Sequence, residues 1–267
     1  GAGIYYPARD SFFVLSANAL EEEINKLQVS LQLTPSDGLK LTLDYSLLSR
    51  DGESLSTRFG DDYQYLVTGI KSRGVVPALN FLVRTFTRSG EKVLVQRPVY
   101  YPFFNAIENN GAEIVSNSLI LENGRYQMDF DDFETKVADP TVTLFVLCSP
   151  HNPVGRVFTR DELTALAMIC QKHDIIICSD EIHCGLLLDE DKVHLPTSTL
   201  DPEVAKRTIT LMSPSKTFNL PGLGCAFAVI SDEKLRRRFV QAKSGIVPLV
   251  NAMGFAAAEA AYRDCAD

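Results

Sequence analysis

Three polar side chains each stand just past a short apolar run, and each could do chemistry there. Lys216 lies in Ser213-Pro214-Ser215-Lys216-Thr217-Phe218, directly after Thr208–Met212. An amine between apolar stretches is poorly solvated, which lowers its pKa and suits it to imine formation with a carbonyl compound. The hydroxyls of Ser213 and Ser215 just upstream could bind phosphate oxygens. Asp180 lies in Ser179-Asp180-Glu181-Ile182-His183, after Ile175–Cys178. A carboxylate at such a place is costly unless it meets a cation, and the protonated ring nitrogen of a ligand would be one. Asn152 lies in Ser149-Pro150-His151-Asn152-Pro153-Val154-Gly155, after Val142–Cys148. Two prolines and a glycine fix a tight turn there and leave the amide able to bond a ligand. Taken singly, each residue has a plainer account: a solvated lysine, a capping or turn aspartate, an ordinary turn asparagine.

Such residues need a scaffold, and the chain spells one from about residue 66 onward. Apolar runs at Lys92–Gln96, Ala112–Val115, Val142–Cys148, Ile175–Cys178, Thr208–Met212 and Cys225–Ile230 read as strands. Between them, amphipathic patterns near Pro77–Phe86, Tyr101–Asn109, Phe130–Val137, Arg160–His173 and Glu233–Ala242 read as helices. Thr159-Arg160-Asp161-Glu162 has the spacing of a capping box, which fixes one helix start. Continuous apolar strands alternating with helices imply an open, mostly parallel α/β sheet covered on both faces. Ligands in such sheets sit beyond the carboxyl ends of the strands, where the three residues lie.

Residues 1–65 have a different character. A helical pattern covers 18–30, with Leu20, Ile24 and Leu27 on one face, and period-two alternation at Val29–Leu33 and Leu39–Leu43 reads as a β-hairpin around Pro35-Ser36-Asp37-Gly38. The polar stretch Ser49–Ser54 reads as a linker. Composition narrows the function classes. Apolar residues are 45% and charged residues 22%, the balance of a globular chain with a core. With 26 Lys and Arg against 34 Asp and Glu, the net charge is −8, which argues against a nucleic-acid or anionic-membrane binder. No apolar stretch reaches spanning length, and the N-terminus lacks signal-peptide order, so a cytoplasmic protein is expected. The six cysteines form no CxxC pair and read as reduced, buried thiols; the four histidines have no zinc spacing, so no metal is expected.

Five ordered tracts carry a resemblance: Gly74-Val75-Val76-Pro77-Ala78-Leu79, Pro98-Val99-Tyr100-Tyr101, Asn152-Pro153-Val154-Gly155, Ser179-Asp180-Glu181-Ile182-His183 and Ser213-Pro214-Ser215-Lys216-Thr217-Phe218-Asn219. In order and spacing they resemble the fold-type I pyridoxal-phosphate enzymes of the class I/II aminotransferase superfamily, and in wording the MalY/PatB-type cystathionine β-lyase branch. The resemblance implies an aspartate-aminotransferase-like large domain over 66–267, with a mostly parallel seven-stranded sheet between helices. It implies pyridoxal 5'-phosphate as cofactor, carried by Lys216, which would also move the Cα proton. Asp180 would pair with the pyridine nitrogen, Asn152 and His183 would bond the phenolic oxygen, and Tyr100, rather than Tyr101, would stack on the ring. The phosphate would meet the N–H groups of Val75 and Val76 at the helix start near Pro77, with Gly74 allowing close approach and Ser213 and Ser215 completing the cup. The implied activity is cleavage of cystathionine or related cysteine thioethers to thiol, pyruvate and ammonia, by a homodimer acting on a small amino acid. An aminotransferase, or an inactive cofactor-binding fragment, is the alternative.

Three departures accompany the resemblance. Gly224 stands eight positions past Lys216, where aminotransferases usually carry a phosphate-binding arginine that the lyase branch lacks. Residues 1–65 do not resemble the family's N-terminal arm. The chain stops at Asp267, where the helix into a small C-terminal domain is expected, so that domain would be largely absent and the chain truncated. No position is assigned to the clamp for the substrate carboxylate.

Overall fold

The computed structural model describes residues 2–6, 11–17, 27–33, 41–46, 74–243 and 250–265. The chain divides into two compact units, Gly1–Gln64 and Tyr65–Asp267.

In the first unit, β1 (Ala2–Tyr6), β2 (Ser11–Ala17), β3 (Leu27–Leu33) and β4 (Leu41–Ser46) form an antiparallel sheet in chain order. β3 and β4 are the expected hairpin, with Leu33 opposite Leu41 and Gln28 opposite Ser46. The second arm is displaced from the 39–43 expected. The helix expected over 18–30 is corrected at its end, because Leu27–Ser30 belong to β3. There the alternation Leu27, Val29, Leu31, Leu33 runs on and overrides the helical spacing. Residues 18–26 of that helix, the turn at 35–38 and the linker at 49–54 lie outside the described residues.

The second unit runs α1 (Val75–Phe86), β5 (Lys92–Arg97), α2 (Pro102–Glu108), β6 (Glu113–Ser118), the short hairpin β7 (Ile120–Glu122) and β8 (Arg125–Gln127), α3 (Phe130–Val137) and β9 (Val142–Cys148). It continues with α4 (Arg160–Lys172), β10 (Ile176–Asp180), α5 (Pro202–Ala205), β11 (Thr208–Met212), α6 (Pro214–Thr217), β12 (Phe227–Ile230), α7 (Glu233–Lys243) and α8 (Ala252–Asp264). The sheet order is β12-β11-β10-β9-β5-β6. All neighbours are parallel except β12, which runs antiparallel to β11. Six strands are present among the described residues rather than the seven that the resemblance implies. They are the six apolar runs read from the sequence, and no other described segment joins the sheet.

Side-chain alternation sorts the core into two layers. Val93, Val95, Leu144, Val146 and Cys178 pack with α1, α2 and α7, whereas Leu94, Phe145, Leu147 and Ile177 pack with α3, α4 and α5. By the same alternation Cys148 and Asp180 belong to the α1 face, and Ser179 to the α4 face. Burial on both faces explains why these strands read as unbroken apolar runs rather than alternating ones. Among the described residues no helix is long and apolar enough to cross a membrane.

Candidate functional site

The carboxyl ends of β9, β10 and β11 open onto one cleft of about 240 Å³, lined by Gly74, Val75, Val76, Pro77, Tyr100, Cys148, Asn152, Asp180, Ile182, His183 and Lys216. Each lining residue arrives by a separate local device. Gly74 is the N-cap of α1 and has no side chain to occupy the first N–H groups of that helix. No acidic residue stands in its first turn, so the N-terminus presents amides and a positive dipole end to the cleft. Pro77 falls in the same turn, where a missing N–H costs nothing.

Asn152 is held by the tight turn after β9. Its N–H donates to Cys148 Sγ (3.4 Å) and its carbonyl accepts from Tyr100 N–H (3.1 Å), which ties the two loops together. His151 locks that turn from behind: it is buried, and its Nε2 lies 2.8 Å from Pro98 O. Arg156, at the other end of the turn, is buried and reaches both carboxylate oxygens of Glu162 at 2.6 and 2.8 Å. Glu162 also closes the capping box of α4 with Thr159, as expected from the sequence.

Asp180 is the last residue of β10 and only 4% exposed. Among the described residues, the hydrogen bond given to its carboxylate comes from Ile182 N–H at 3.2 Å. Burial pushes this carboxyl up to about 7; neighbouring Glu181 adds to the rise, while the Ile182 bond and Lys216 oppose it. A buried carboxylate so poorly compensated fits a ligand that brings a positive charge. Burial, and then the nearby charge of Lys216, hold the His183 imidazole below its ordinary value, so it enters neutral chemistry as a neutral ring. The thiol of Cys148, which lines the same wall, is pushed far up by burial and is not a nucleophile there.

Lys216 sits in the single turn α6, whose N-cap is Ser213. Its side chain is exposed in the open cleft, so the poor solvation expected from its flanking apolar runs is not found. Ser213 and Ser215 are not among the lining residues. The Ser213 hydroxyl donates to Cys225 O (2.6 Å), lies 2.9 Å from Ser215 Oγ and accepts from Ser215 N–H (3.1 Å), so it is spent on shaping the Lys216 turn. Tyr100 lines the cleft with its edge to Phe103, whereas Tyr101, 68% exposed, does not. Gly224 has φ 58°, a left-handed conformation that an arginine would adopt only with strain.

Sequence reasoning missed Cys148, Ile182 and the buried pair Glu181–His194. Cys148 was within reach, since it ends the apolar run Val142–Cys148 just before the Asn152 turn; the structure pairs it in register with Asp180. Ile182 follows Asp180 by two positions, and an isoleucine by itself carries no sign of a site. Glu181 and His194 had no such signal, because an irregular segment separates them. Among the described residues, no group of His, Cys, Asp and Glu could hold a metal.

An open, mostly parallel α/β sheet with a lysine, an aspartate and a helix N-terminus converging past its strand ends defines a class of enzyme scaffold, and the comparisons say which. The profile of "Aminotransferase class I and II" matches residues 16–266, and the chain belongs to that family. The match begins inside the N-terminal stretch that the sequence reading set apart. Among curated proteins, the chain is similar to "Cystathionine beta-lyase PatB" of Bacillus subtilis, 44% identical over 72% of this chain and 49% of the relative. It is also similar to "Protein MalY" of Escherichia coli, 32% identical over 67% of this chain and 45% of the relative. Among solved structures, cystalysin from Treponema denticola, whose crystal contains a pyridoxal 5'-phosphate cofactor, superposes with a TM-score of 0.73 at 36% identity, over 79% of this chain and 54% of that one. The chain spans about half the length of the curated relatives it matches.

Proposed function

We propose that the cleft holds pyridoxal 5'-phosphate and that the protein is a carbon–sulfur β-lyase, cleaving cystathionine or a related cysteine thioether to thiol, pyruvate and ammonia. The observation that carries this reading is the meeting, in one cleft, of the Lys216 amine with a buried Asp180 carboxylate whose pKa burial raises to about 7 despite the nearby Lys216 charge. The cofactor, when bound, supplies an electron sink for the carbanion left at the substrate Cα. The rest falls to the protein. Lys216 anchors the cofactor through its amine and, once displaced by the substrate amine, takes the Cα proton. Asp180 meets the pyridinium and keeps that nitrogen protonated. Asn152 and His183 bond the phenolic oxygen, and Tyr100 covers the ring. The amides of Val75 and Val76 receive the phosphate beside Gly74, while Ser213 and Ser215 serve chiefly by shaping the Lys216 turn.

Two residues favour a lyase over an aminotransferase: His183 where many aminotransferases use tyrosine, and Gly224 where they use arginine. We assign the cofactor domain to residues 66–267, with 1–65 outside it; the unit boundary after Gln64 supports this division. A cytoplasmic homodimer acting on a small amino acid, with no nucleic-acid or membrane partner, completes the reading; the family resemblance and the net charge of −8 support it. The test is to incubate the cofactor-loaded protein with cystathionine and no 2-oxo acid. Pyruvate and thiol should appear in equal amounts. Product formation only after a 2-oxo acid acceptor is added would assign the aminotransferase reading instead.

A further inference from the structure

The cleft accounts for Asp180 but not for the residue after it. Glu181 is fully buried, a costly position for a carboxylate unless its lone pairs are met. Its N–H donates to Leu211 O at 2.9 Å, so the strand ladder continues one residue past β10. Alternation therefore sends Glu181 to the sheet face opposite Asp180. There its Oε1 accepts from Ser179 Oγ (2.8 Å) and from Thr197 N–H (3.0 Å), and its Oε2 lies 2.8 Å from His194 Nε2. Ser179 Oγ and Thr197 Oγ1 lie 3.0 Å apart and complete the cluster. His194 Nδ1 is buried and has no hydrogen-bond partner, so the ring is committed to Glu181.

His194 and Thr197 stand at the far end of the irregular segment that leaves β10, carries His183, and exposes Leu186, Leu188 and Val193. Inside that segment the bonds are local, such as Cys184 N–H to Glu181 O (3.0 Å), Leu186 N–H to His183 O (2.9 Å) and the exposed ion pair of Lys192 with Asp191 (2.6 Å). With so few contacts of its own, the segment depends on its base for order. A second contact lies near its start: a Cβ on Gly185 would come within 2.4 Å of Thr217 Cγ2, beside Lys216. The segment thus rests on the Lys216 turn and is closed at its base by the Glu181 carboxylate.

We infer that Glu181 and His194 are positioning residues of this cleft: their buried pair closes the 181–194 segment and so fixes the direction in which Asp180 and His183 point. The inference takes its ligand from the cofactor reading above, but its geometry stands apart from it.

The test uses the full chain with His194→Leu, His194→Gln and Glu181→Ala, read two ways. Amide hydrogen exchange on cofactor-free protein reports the clasp whether or not anything binds. In His194→Leu and Glu181→Ala, exchange across 182–197 should rise about tenfold or more while β9 stays protected. Equilibrium binding of pyridoxal 5'-phosphate should weaken about tenfold, the size of losing one hydrogen bond to a charged group. Glutamine can place an amide N–H where the imidazole Nε2 stands, so His194→Gln should return both readouts towards the parent. If Glu181→Ala fails to fold, the two His194 variants carry the comparison. Unchanged exchange in His194→Leu, or faster exchange with unchanged cofactor affinity, overturns the inference. A parent protein that takes up no cofactor overturns the functional reading instead, and the exchange comparison then decides the clasp alone.

Discussion

Asp180 concentrates the tension at the residue scale. Its carboxyl titrates at about 7 in the fold, against roughly 3.9 in an unfolded chain. Between those values the folded state keeps a proton that the unfolded state has released. Stability of the cofactor-free protein should therefore fall as pH rises from about 4 through about 7, and stay low above that. Asp180→Asn removes the loss: urea unfolding should find it close to the parent near pH 4 and more stable near pH 8, by on the order of 4 kcal/mol. Equal stability near pH 8 would contradict an uncompensated buried carboxylate. The same variant should bind pyridoxal 5'-phosphate more weakly by about 1.5–3 kcal/mol, because the charge-assisted bond is gone. Stability lost at a site is function held ready there. The sequence made Asp180 legible, since aspartate at the end of an apolar run is rare enough to ask for a reason. It misled at Lys216, which is exposed despite the apolar runs on either side of its turn.

At the scale of elements, the turn bearing Asn152 is fastened to α4 through Arg156. Arg156 Nη1 donates to Tyr126 O while Nη2 holds both oxygens of Glu162, which is itself half of the α4 cap. Glu162→Ala should therefore cost about 3 kcal/mol in urea unfolding, since it strands a buried guanidinium. Thr159→Ala, which loses only the cap bond, should cost about 1 kcal/mol. Similar losses for both would show that the ion pair contributes nothing beyond the cap. The six strands were readable because burial on both faces leaves a continuous apolar signature. Helices α1 to α4, α7 and this cap were readable from their spacing, whereas α5, α6 and α8 were not. The end of the 18–30 helix was not, because Leu27 satisfies both periods and only strand pairing chooses between them. The Ser213 cap was equally hidden: a hydroxyl three residues before a lysine reads the same whether it faces a phosphate or its own helix.

Across the whole molecule, the six-stranded sheet divides labour between its faces. The face packed on α1 carries Cys148 and Asp180, and the face packed on α4 carries Ser179 with its hydrogen-bonded partner Glu181. Of the site residues read from the sequence, all but Ser213 and Ser215 line the cleft, and Lys216 is the one lysine or arginine among the lining residues. A substrate carboxylate is usually held by a bidentate arginine, and positioning of this kind can account for several kcal/mol of a barrier. The chain should therefore bind cofactor well and turn over cystathionine feebly, without saturation. Saturable turnover at about 1–10³ per second would show that a clamp lies outside the described cleft. Reductive trapping tests most directly whether Lys216 carries the cofactor. Borohydride reduction of the cofactor-loaded protein, followed by peptide mapping, should place the pyridoxyl mass on Lys216. A modified lysine elsewhere, or none at saturating pyridoxal 5'-phosphate, would contradict the account.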